Sequence, residues 1–535
     1  MRQAGPSLSH GLPTQTTTNI PSSTAQTRSA PRLLLVSLLN RMNPFLVILA
    51  TALTVAGHLS ANPDVRSIRE WVNGDGKTDD TLGVAAAFAA CKNNAFTLQV
   101  DCPVLIHVGM DISRPIFVDN GTHVEFTNEG LFITDNVLIP AFVIANSSDI
   151  RFTGLNLEYR GGLPVNWDVG GYYDKGGFVP VVKGYAQPAF AFNDRTVTSW
   201  LKDNRTISFG NTKEAARSTP WHGPTNSSTI FMLVGAAHNI SFSKVRMSVP
   251  LSAGGSKFIP MAFSFTLGYD SNREPVAPGT NNWITVPNVS VPSDIHFSDI
   301  TLDGYYMGFQ GTLQNSTFSG IVGKRYADLQ DDAGGNVGGM GKWFAPPHLF
   351  YINYSQSPLG DNRLSAKNLT ISNVNDIGPR IGVARDVSEK MKRSGYANSL
   401  KIGAVDSTVT NYTSTRPDGL ADILGCDNLT LTNITGTYDS SFINGMYPGV
   451  RFPGHGYKHL TLNNVTLTDT AENPYGTSEN KPLPFGGNSD PLNAHIQFNK
   501  VTVNLNRWSR PYPVQSTFAG LDVHADISFN IKQPK

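Results

Sequence analysis

A short degenerate repeat recurs along most of the chain and constrains its fold more than any other feature. Its first clear copy, Ser148–Leu157, has apolar residues at alternate positions, then a two-residue polar corner, then a second alternating stretch. Six further copies follow the same pattern: His238–Met247, Ser293–Leu302, Lys367–Val374, Asp427–Ile434, Lys458–Leu467 and Ala494–Val503. Period-two alternation predicts short strands with one apolar face, and corners such as Thr-Gly, Ser-Asn and Asn-Asn are turn formers.

One such unit is too small to bury its apolar face alone, whereas stacked copies share a continuous core. The repeat therefore predicts an all-β fold, a right-handed parallel β-helix, with Ile150, Ile240, Ile295 and Leu369 in successive layers. The irregular spacing of the copies predicts long loops, which would form the walls of a binding cleft. A β-sandwich is the first alternative, but the corner inside each copy fits one coil of a solenoid better. A β-propeller would need a regular blade period.

The N-terminal region differs in composition from the repeats. Residues 1–31 are rich in Ser, Thr, Pro and Gln without an apolar period, which is typical of disorder. The apolar run Pro44–Ala56 is short for a membrane span and suits a signal peptide cleaved near Ala61. We predict a disordered or spurious extension over 1–41, a signal peptide over 42–61 and a β-helix domain over 62–535. The protein would then be secreted, to the extracellular space, the periplasm or the cell surface; an N-terminal membrane anchor is the alternative.

Charge and cysteine content narrow the function further. Lys and Arg number 42 against 41 Asp and Glu, so the basic excess of a nucleic-acid-binding protein is missing from the sequence. An exported chain can form disulfides, and Cys91 and Cys102 are close enough in sequence to pair. Cys426 would then be a buried thiol in a strand. No CxxC pair or His/Cys spacing of a structural zinc site occurs in the sequence.

A second motif precedes the repeats. Gly74–Thr81 reads GDGKTDDT and is followed by an Ala-rich helical stretch, Leu82–Cys91, suited to cap the open end of a solenoid. The stretch closely resembles the N-terminal motif of the pectate-lyase superfamily, which includes polygalacturonase-like glycoside hydrolases, polysaccharide lyases and phage tailspike depolymerases. The resemblance implies the β-helix fold and structural roles for Asp79 and Asp80. It does not identify the reaction, because one fold supports many chemistries.

Hydrolysis of a glycosidic bond needs one protonated carboxyl group and one carboxylate on opposite sides of the bond. The chain has Asp331-Asp332 and a Gly-His-Gly at 454–456, which are similar to two motifs of polygalacturonases, but in a different order and setting. The Asn-Thr-Asp and Arg-Ile-Lys motifs of those enzymes are missing from the sequence. Asp299 and Asp303 are further candidate carboxylates, although their surroundings favour solvated turn residues.

β-Elimination at a uronate needs a cation for the sugar carboxylate and Lys, Arg, His or Tyr for proton transfer. These residue types gather between the mid-chain repeats and after them, around a Gly-rich loop at 334–339. The predicted catalytic residues are Lys324, Arg325, Tyr326, Lys342, His348 and Arg380. The predicted substrate-binding residues are Tyr305, Tyr306, Trp343 and Arg385, the aromatic ones as platforms for sugar rings. Calcium is a candidate cofactor for which the sequence names no ligands.

Residues 161–222 have few repeat signatures and many aromatic side chains, so they are predicted to form one long excursion from the helix. Together these features predict a secreted, carbohydrate-active enzyme that acts as a monomer, with a polysaccharide as its partner and with neither nucleic acid nor, after signal cleavage, membrane. A lyase acting on a pectate- or alginate-type polymer is favoured. A glycoside hydrolase is the first alternative, and a non-catalytic carbohydrate-binding β-helix is the second.

Overall fold

A computed structural model describes residues 64–107, 115–134, 140–160, 169–174, 177–182, 198–202, 205–209, 229–249, 261–266, 290–305, 307–324, 348–352, 365–377, 399–415, 419–438, 449–452, 457–470, 485–486, 495–506 and 522–532. The predicted extension and signal peptide, 1–61, lie outside these ranges. Within them, no helix has the length and apolar character needed to cross a membrane.

Short strands dominate the described chain. It opens with β1 (Val65–Ser67), a 3-10 helix (Ile68–Glu70) and α1 (Thr81–Cys91). The next strands are β2 (Thr97–Val100), β3 (Pro103–Ile106), β4 (Ile116–Phe117), β5 (His123–Phe126), β6 (Leu131–Thr134), β7 (Phe142–Ala145), β8 (Ser148–Thr153) and β9 (Asn156–Tyr159). Two antiparallel hairpins follow within the predicted excursion: β10 (Val169–Asp174) with β11 (Gly177–Val182), and β12 (Thr198–Lys202) with β13 (Arg205–Phe209).

The remaining strands return to the repeat. They are β14 (Thr229–Val234), β15 (His238–Ser248), β16 (Met261–Thr266), β17 (Ser293–Asp303), β18 (Met307–Gly311), β19 (Thr317–Lys324), β20 (Phe350–Ile352), β21 (Thr370–Ile377), β22 (Leu400–Ser414), β23 (Ala421–Tyr438), β24 (Val450–Arg451), β25 (Tyr457–Asp469), β26 (Phe485–Gly486), β27 (His495–Asn506) and β28 (Asp522–Lys532). The longer strands turn corners and contribute to two faces of the coil, or to all three in β22 and β23.

Each coil runs through three faces. In the coil of β7, β8 and β9, we call the face of β7 sheet 1, that of β8 sheet 2 and that of β9 sheet 3. The next coil repeats this order, because β14 pairs in parallel with β7, while the two halves of β15 pair with β8 and β9. Sheet 1 continues through β16, β18, β20, the starts of β22 and β23, then β24 and β26. This parallel stacking confirms the predicted β-helix.

The layers predicted from the sequence are present. Ile150 pairs with Ile240, and Ile240 with Ile295, so the three lie in one column inside sheet 2. Leu369 lies in the same column, because Thr370 pairs with Thr317 and Thr317 with His296. It is two coils beyond Ile295, since Ser316 occupies the layer between them. All four apolar side chains are buried. The stacked apolar units form one continuous core.

Two columns of phenylalanine rings fill that core. Sheet 1 contributes a stack with centroids 4.7, 5.5, 5.4 and 5.0 Å apart: Phe142, Phe231, Phe263, Phe309 and Phe350. Sheet 2 contributes a stack with centroids 5.1, 5.3 and 5.0 Å apart: Phe152, Phe242, Phe297 and Phe318. Rings of the two columns meet edge to face, as Phe263 and Phe297 do at 4.9 Å. Both offset-stacked and edge-to-face geometries are favourable for aromatic rings.

From the coil of β8 and β9 to that of β27, the corner between sheets 2 and 3 uses one residue in the left-handed conformation. These residues have φ between 51° and 70°: Gly154, Lys244, Asp299, Gly320, Asn373, Asn411, Asn433, Asn464 and Lys500. Asn tolerates this conformation better than most residues because its short amide bonds locally. Here the amides also bond between coils, since Asn411 donates to Asn373 at 3.0 Å and Asn433 donates to Asn411 at 3.1 Å. The polar corners of the repeat therefore hold adjacent coils in register.

The Gly74–Thr81 motif and α1 close the N-terminal end of the core. Asp80 accepts hydrogen bonds from the backbone N–H groups of Asn73 (2.8 Å) and Gly74 (3.1 Å), while Asp79 accepts one from Thr81 N–H at the start of α1 (3.0 Å). Both aspartates are structural, as the motif implied. Helix α1 buries Phe88, whose ring stacks on Phe142 at 5.8 Å and so covers the sheet 1 column.

The predicted disulfide between Cys91 and Cys102 is wrong. All three cysteines are free and buried. Cys91 ends α1 and donates to Phe88 C=O at 3.5 Å, whereas Cys102 packs against Gly74, where an added Cβ would lie 2.6 Å from its Sγ. Nearness in sequence was a poor guide because the helix and the first coil direct the two thiols to different neighbours.

We expect these thiols to react slowly in the folded protein. Burial raises the pKa of Cys91 to about 11 and that of Cys426 to about 12, and it also raises the pKa of Cys102. Because the thiolate is the reactive form, alkylation of the native protein should be slow at mildly alkaline pH. Unfolding without reductant should expose all three thiols, counted by mass spectrometry. A single alkylated cysteine after unfolding would instead support the disulfide.

Candidate functional site

The outward face of sheet 1 carries a column of polar side chains, one per coil. Pairing places Ser264 beside Gln310, Gln310 beside Tyr351, Tyr351 beside Lys401, Lys401 beside Asp422, and Asp422 beside Arg451. We call this column of six side chains the polar ladder. Parallel strands lie about 4.8 Å apart, so the ladder offers one side chain per strand along a straight line. Before Ser264 the same column is apolar, since its partner is Met232.

Burial distinguishes the ladder from the outward positions of sheet 2. Its two ends are buried: Ser264 and Gln310 are each 5% exposed, Asp422 is 0% and Arg451 is 7% exposed. Tyr351 and Lys401, in the middle, are half-buried. An outward column of sheet 2 is half-buried or exposed throughout: Arg151, Ser241, His296, Thr317, Thr370, Thr408, Thr430, Thr461 and Gln497. The ladder is therefore a sheltered polar track that reaches solvent at its centre.

Tyr351 and Lys401 form the centre of the ladder. Lys401 Nζ lies 4.2 Å from the centroid of the Tyr351 ring, the geometry of a cation–π contact. The buried His348 ring lies 5.5 Å from the same Tyr351 ring at an interplanar angle of 65°. An ammonium group and an imidazole thus both lie close to one phenol. These are the groups that proteins use for proton transfer and for binding a carboxylate.

Asp422 and Arg451 form a buried ion pair next to Lys401. Arg451 Nε donates to Asp422 Oδ1 at 2.8 Å, and Arg451 Nη2 donates to Asp422 Oδ2. This two-point arrangement fixes both planar groups. The charges of Asp422 and Arg451 cancel, so the three side chains together carry the single positive charge of Lys401. This charge favours an anionic ligand at the centre of the ladder.

The opposite end of the ladder is neutral. Ser264 Oγ is buried and has no hydrogen-bond partner in the described residues. A buried hydroxyl group without a partner is unfavourable, and the amide of Gln310 lies on the neighbouring strand.

Only part of the predicted site lies in the described residues. His348 does, and the structure places it beside Tyr351 in the ladder. Lys324 is exposed at the end of β19 in sheet 3, on a different face from the ladder. Outside the described residues lie Arg325, Tyr326, Lys342, Arg380, Tyr306, Trp343 and Arg385, as well as Asp331, Asp332 and His455.

The expectation that Tyr305 stacks on a sugar ring is wrong. Tyr305 is 3% exposed and belongs to the apolar core, so neither ring face is open to a ligand. Burial holds the pKa of Tyr305 well above its ordinary value, and its hydroxyl has no hydrogen-bond partner in the described residues. Of the other carboxylates considered, Asp299 is an exposed corner residue with φ of 55°.

The ladder also has a sequence signal, which is separate from the repeat pattern. Several of its members stand between two buried apolar residues, in a triplet that starts a coil. The triplets are Phe263-Ser264-Phe265, Phe350-Tyr351-Ile352, Leu400-Lys401-Ile402, Ala421-Asp422-Ile423 and Val450-Arg451-Phe452. Reading the middle residue of each triplet in order gives most of the site.

The described residues include no group of three or more His, Cys, Asp or Glu side chains placed to hold a metal ion. Calcium stays a candidate cofactor without assigned ligands.

No protein-family model matches the chain, and no curated protein matches it. Solved structures do resemble it. An endo-xylogalacturonan hydrolase from Aspergillus tubingensis is 10% identical, with a TM-score of 0.43 over 88% of this chain and 100% of that chain. A family 28 exopolygalacturonase from Yersinia enterocolitica is 12% identical, with a TM-score of 0.40 over 89% and 77%. PfbA, a surface adhesin of Streptococcus pneumoniae, is 9% identical, with a TM-score of 0.31 over 88% and 91%. Likeness at this level does not identify a reaction.

Proposed function

We propose that the chain is a carbohydrate-active enzyme that binds an acidic polysaccharide at the half-buried centre of the polar ladder and cleaves it at Tyr351 and Lys401. The supporting observation is the ladder itself: six sheltered polar side chains at regular spacing, opening to solvent where a phenol and an ammonium group meet. The strand spacing of about 4.8 Å is comparable to the length of one sugar unit, so neighbouring units can meet Tyr351 and Lys401 on adjacent strands.

β-Elimination is the reaction that these residue types favour. In it, a base takes the C5 proton of a uronate, the C4–O bond breaks, a C4–C5 double bond forms, and the leaving oxygen takes a proton. Lys401 supplies the cation for the uronate carboxylate. Tyr351 and His348 supply groups of the kind that move protons. We extend this proposal to a secreted protein, following the signal peptide expected at 42–61.

Hydrolysis is the second candidate, because the ladder also holds a carboxylate, Asp422, one strand from Lys401. A hydrolase would need a second carboxyl group as its acid, and Asp422 is itself held by Arg451.

A substrate screen separates these reactions. Purified protein is incubated with polygalacturonate, alginate and a neutral glucan, and ultraviolet absorbance and reducing ends are recorded together. We expect both signals to rise together with an acidic polymer, because elimination leaves an unsaturated uronate. Reducing ends without absorbance would establish hydrolysis instead. Binding to an acidic polymer without either product would overturn the enzyme assignment in favour of a carbohydrate-binding protein.

A further inference from the structure

Three buried polar side chains meet at the start of β22, two residues before Lys401. We call Asp376, Ser399 and Tyr412 the internal triad; each is 0% exposed. Ser399 Oγ donates to Asp376 Oδ2 and lies 2.6 Å from Tyr412 Oη. The triad joins the end of β21, the residue before β22, and the end of β22.

Packing does not explain a carboxyl group at this place. Asp376 occupies an inward column of sheet 3 whose neighbouring positions are Gly323 and Ser414, with Leu302 and Gly436 one coil further on each side. An apolar side chain would suit this column, because burying a carboxyl group is unfavourable unless hydrogen bonds offset the loss of water. The presence of Asp376 is therefore better explained by its hydrogen bond with Ser399 than by packing.

The backbone of Ser399 bonds to the segments that begin three strands of the ladder. Its carbonyl oxygen accepts from Leu349 N–H at 3.0 Å and Phe350 N–H at 3.3 Å, just before Tyr351. Its own N–H donates to Gly419 C=O at 3.3 Å, at the start of the segment that carries Asp422. Lys401 follows Ser399 by two residues on β22. One serine thus connects the three strands that present Tyr351, Lys401 and Asp422.

We propose that Asp376, acting through Ser399 and together with Tyr412, is a positioning residue for the polar ladder. The carboxyl group fixes the hydroxyl of Ser399 from inside the helix, and the backbone of Ser399 sets the height and direction of the strands whose outward side chains form the site. This inference rests on the proposed function for its effect on catalysis, whereas its effect on strand order is independent of it.

The test compares Ser399→Ala with Ser407→Ala. Both serines are buried on or beside β22, but Ser407 bonds to Leu369 N–H at 3.0 Å within sheet 2, away from the ladder. Hydrogen exchange of peptides covering 348–352 and 399–402 is measured by mass spectrometry, alongside kcat and KM on the acidic polymer that the wild type cleaves. Asp376→Asn, which keeps an acceptor oxygen, is compared with Asp376→Ala.

We expect Ser399→Ala to lower kcat by about ten-fold with little change in KM, because misplacing a reacting group by about 1 Å can reduce the rate up to a hundred-fold. Exchange in both peptides should rise in Ser399→Ala and stay unchanged in Ser407→Ala. Asp376→Asn should retain more activity than Asp376→Ala.

The outcomes separate the two proposals. If the wild type cleaves no polymer, the proposed function fails, and the exchange data alone decide whether the triad orders the ladder strands. If Ser399→Ala and Ser407→Ala change exchange and kcat equally, the triad is ordinary core packing and the positioning role is wrong.

Discussion

Lys401→Met is expected to lower the rate of polysaccharide cleavage by about 10²–10⁴-fold, the usual contribution of a positioned charged group at a reacting centre. Lys401 supplies the cation at the half-buried centre of the ladder, directly above the Tyr351 ring at 4.2 Å. Methionine keeps the length and the apolar stem of the side chain, so the loss would report the charge. Initial rates on the polymer identified by the screen give the measurement.

Lys458→Met is the matched control for this substitution. Lys458 is an exposed lysine with a loose contact to Asp427 at 4.0 Å, away from sheet 1, so its loss should leave the rate unchanged. Lys401→Arg tests the role of the cation: retained KM with reduced kcat would indicate that charge alone binds the substrate while the lysine geometry serves the chemistry. A Lys401→Met protein that cleaves as fast as Lys458→Met would remove Lys401 from the site.

The fold could be predicted because the residues that specify it are close together in the sequence. Each repeat copy contains its own strands and its own corner, and residues such as Lys244, Asp299 and Asn464 adopt the left-handed conformation in the places where polar pairs interrupt the apolar alternation. Stacking then follows from the need of each apolar face for a neighbour. The column of Ile150, Ile240 and Ile295 is the direct result.

The candidate site was harder to predict because its residues are far apart in the sequence. Tyr351, Lys401 and Asp422 are far apart in sequence and become neighbours only when one coil is set above the next. The sequence prediction relied on residues adjacent in the chain, such as Lys324 with its two successors. In the structure, Lys324 lies on sheet 3 and is separated from the ladder. His348 lies beside Tyr351 and its predicted role stays a prediction, whereas Tyr305, only two residues from Met307 at the start of a sheet 1 strand, turns into the core.

Arg451→Met is expected to lower the free energy of unfolding by about 3–5 kcal/mol, because removing one partner of a buried ion pair leaves the other charge uncompensated. Asp422 is fully buried and receives two hydrogen bonds from the Arg451 guanidinium group. Thermal and denaturant unfolding followed by circular dichroism give the measurement, and the exposed Lys458→Met should change stability by less than about 1 kcal/mol.

The double substitution Asp422→Leu with Arg451→Met tests whether the ion pair stabilises the fold or serves the ladder. Replacing both charges by apolar side chains of similar volume is often neutral or stabilising, so we expect the double variant to recover most of the stability lost in Arg451→Met. A double variant as unstable as the single one would mean that the pair stabilises the fold itself. A stable double variant that no longer cleaves the polymer would show instead that the pair is there for the ladder: Asp422 and Arg451 set the charge beside Lys401, and sheet 1 would fold without them.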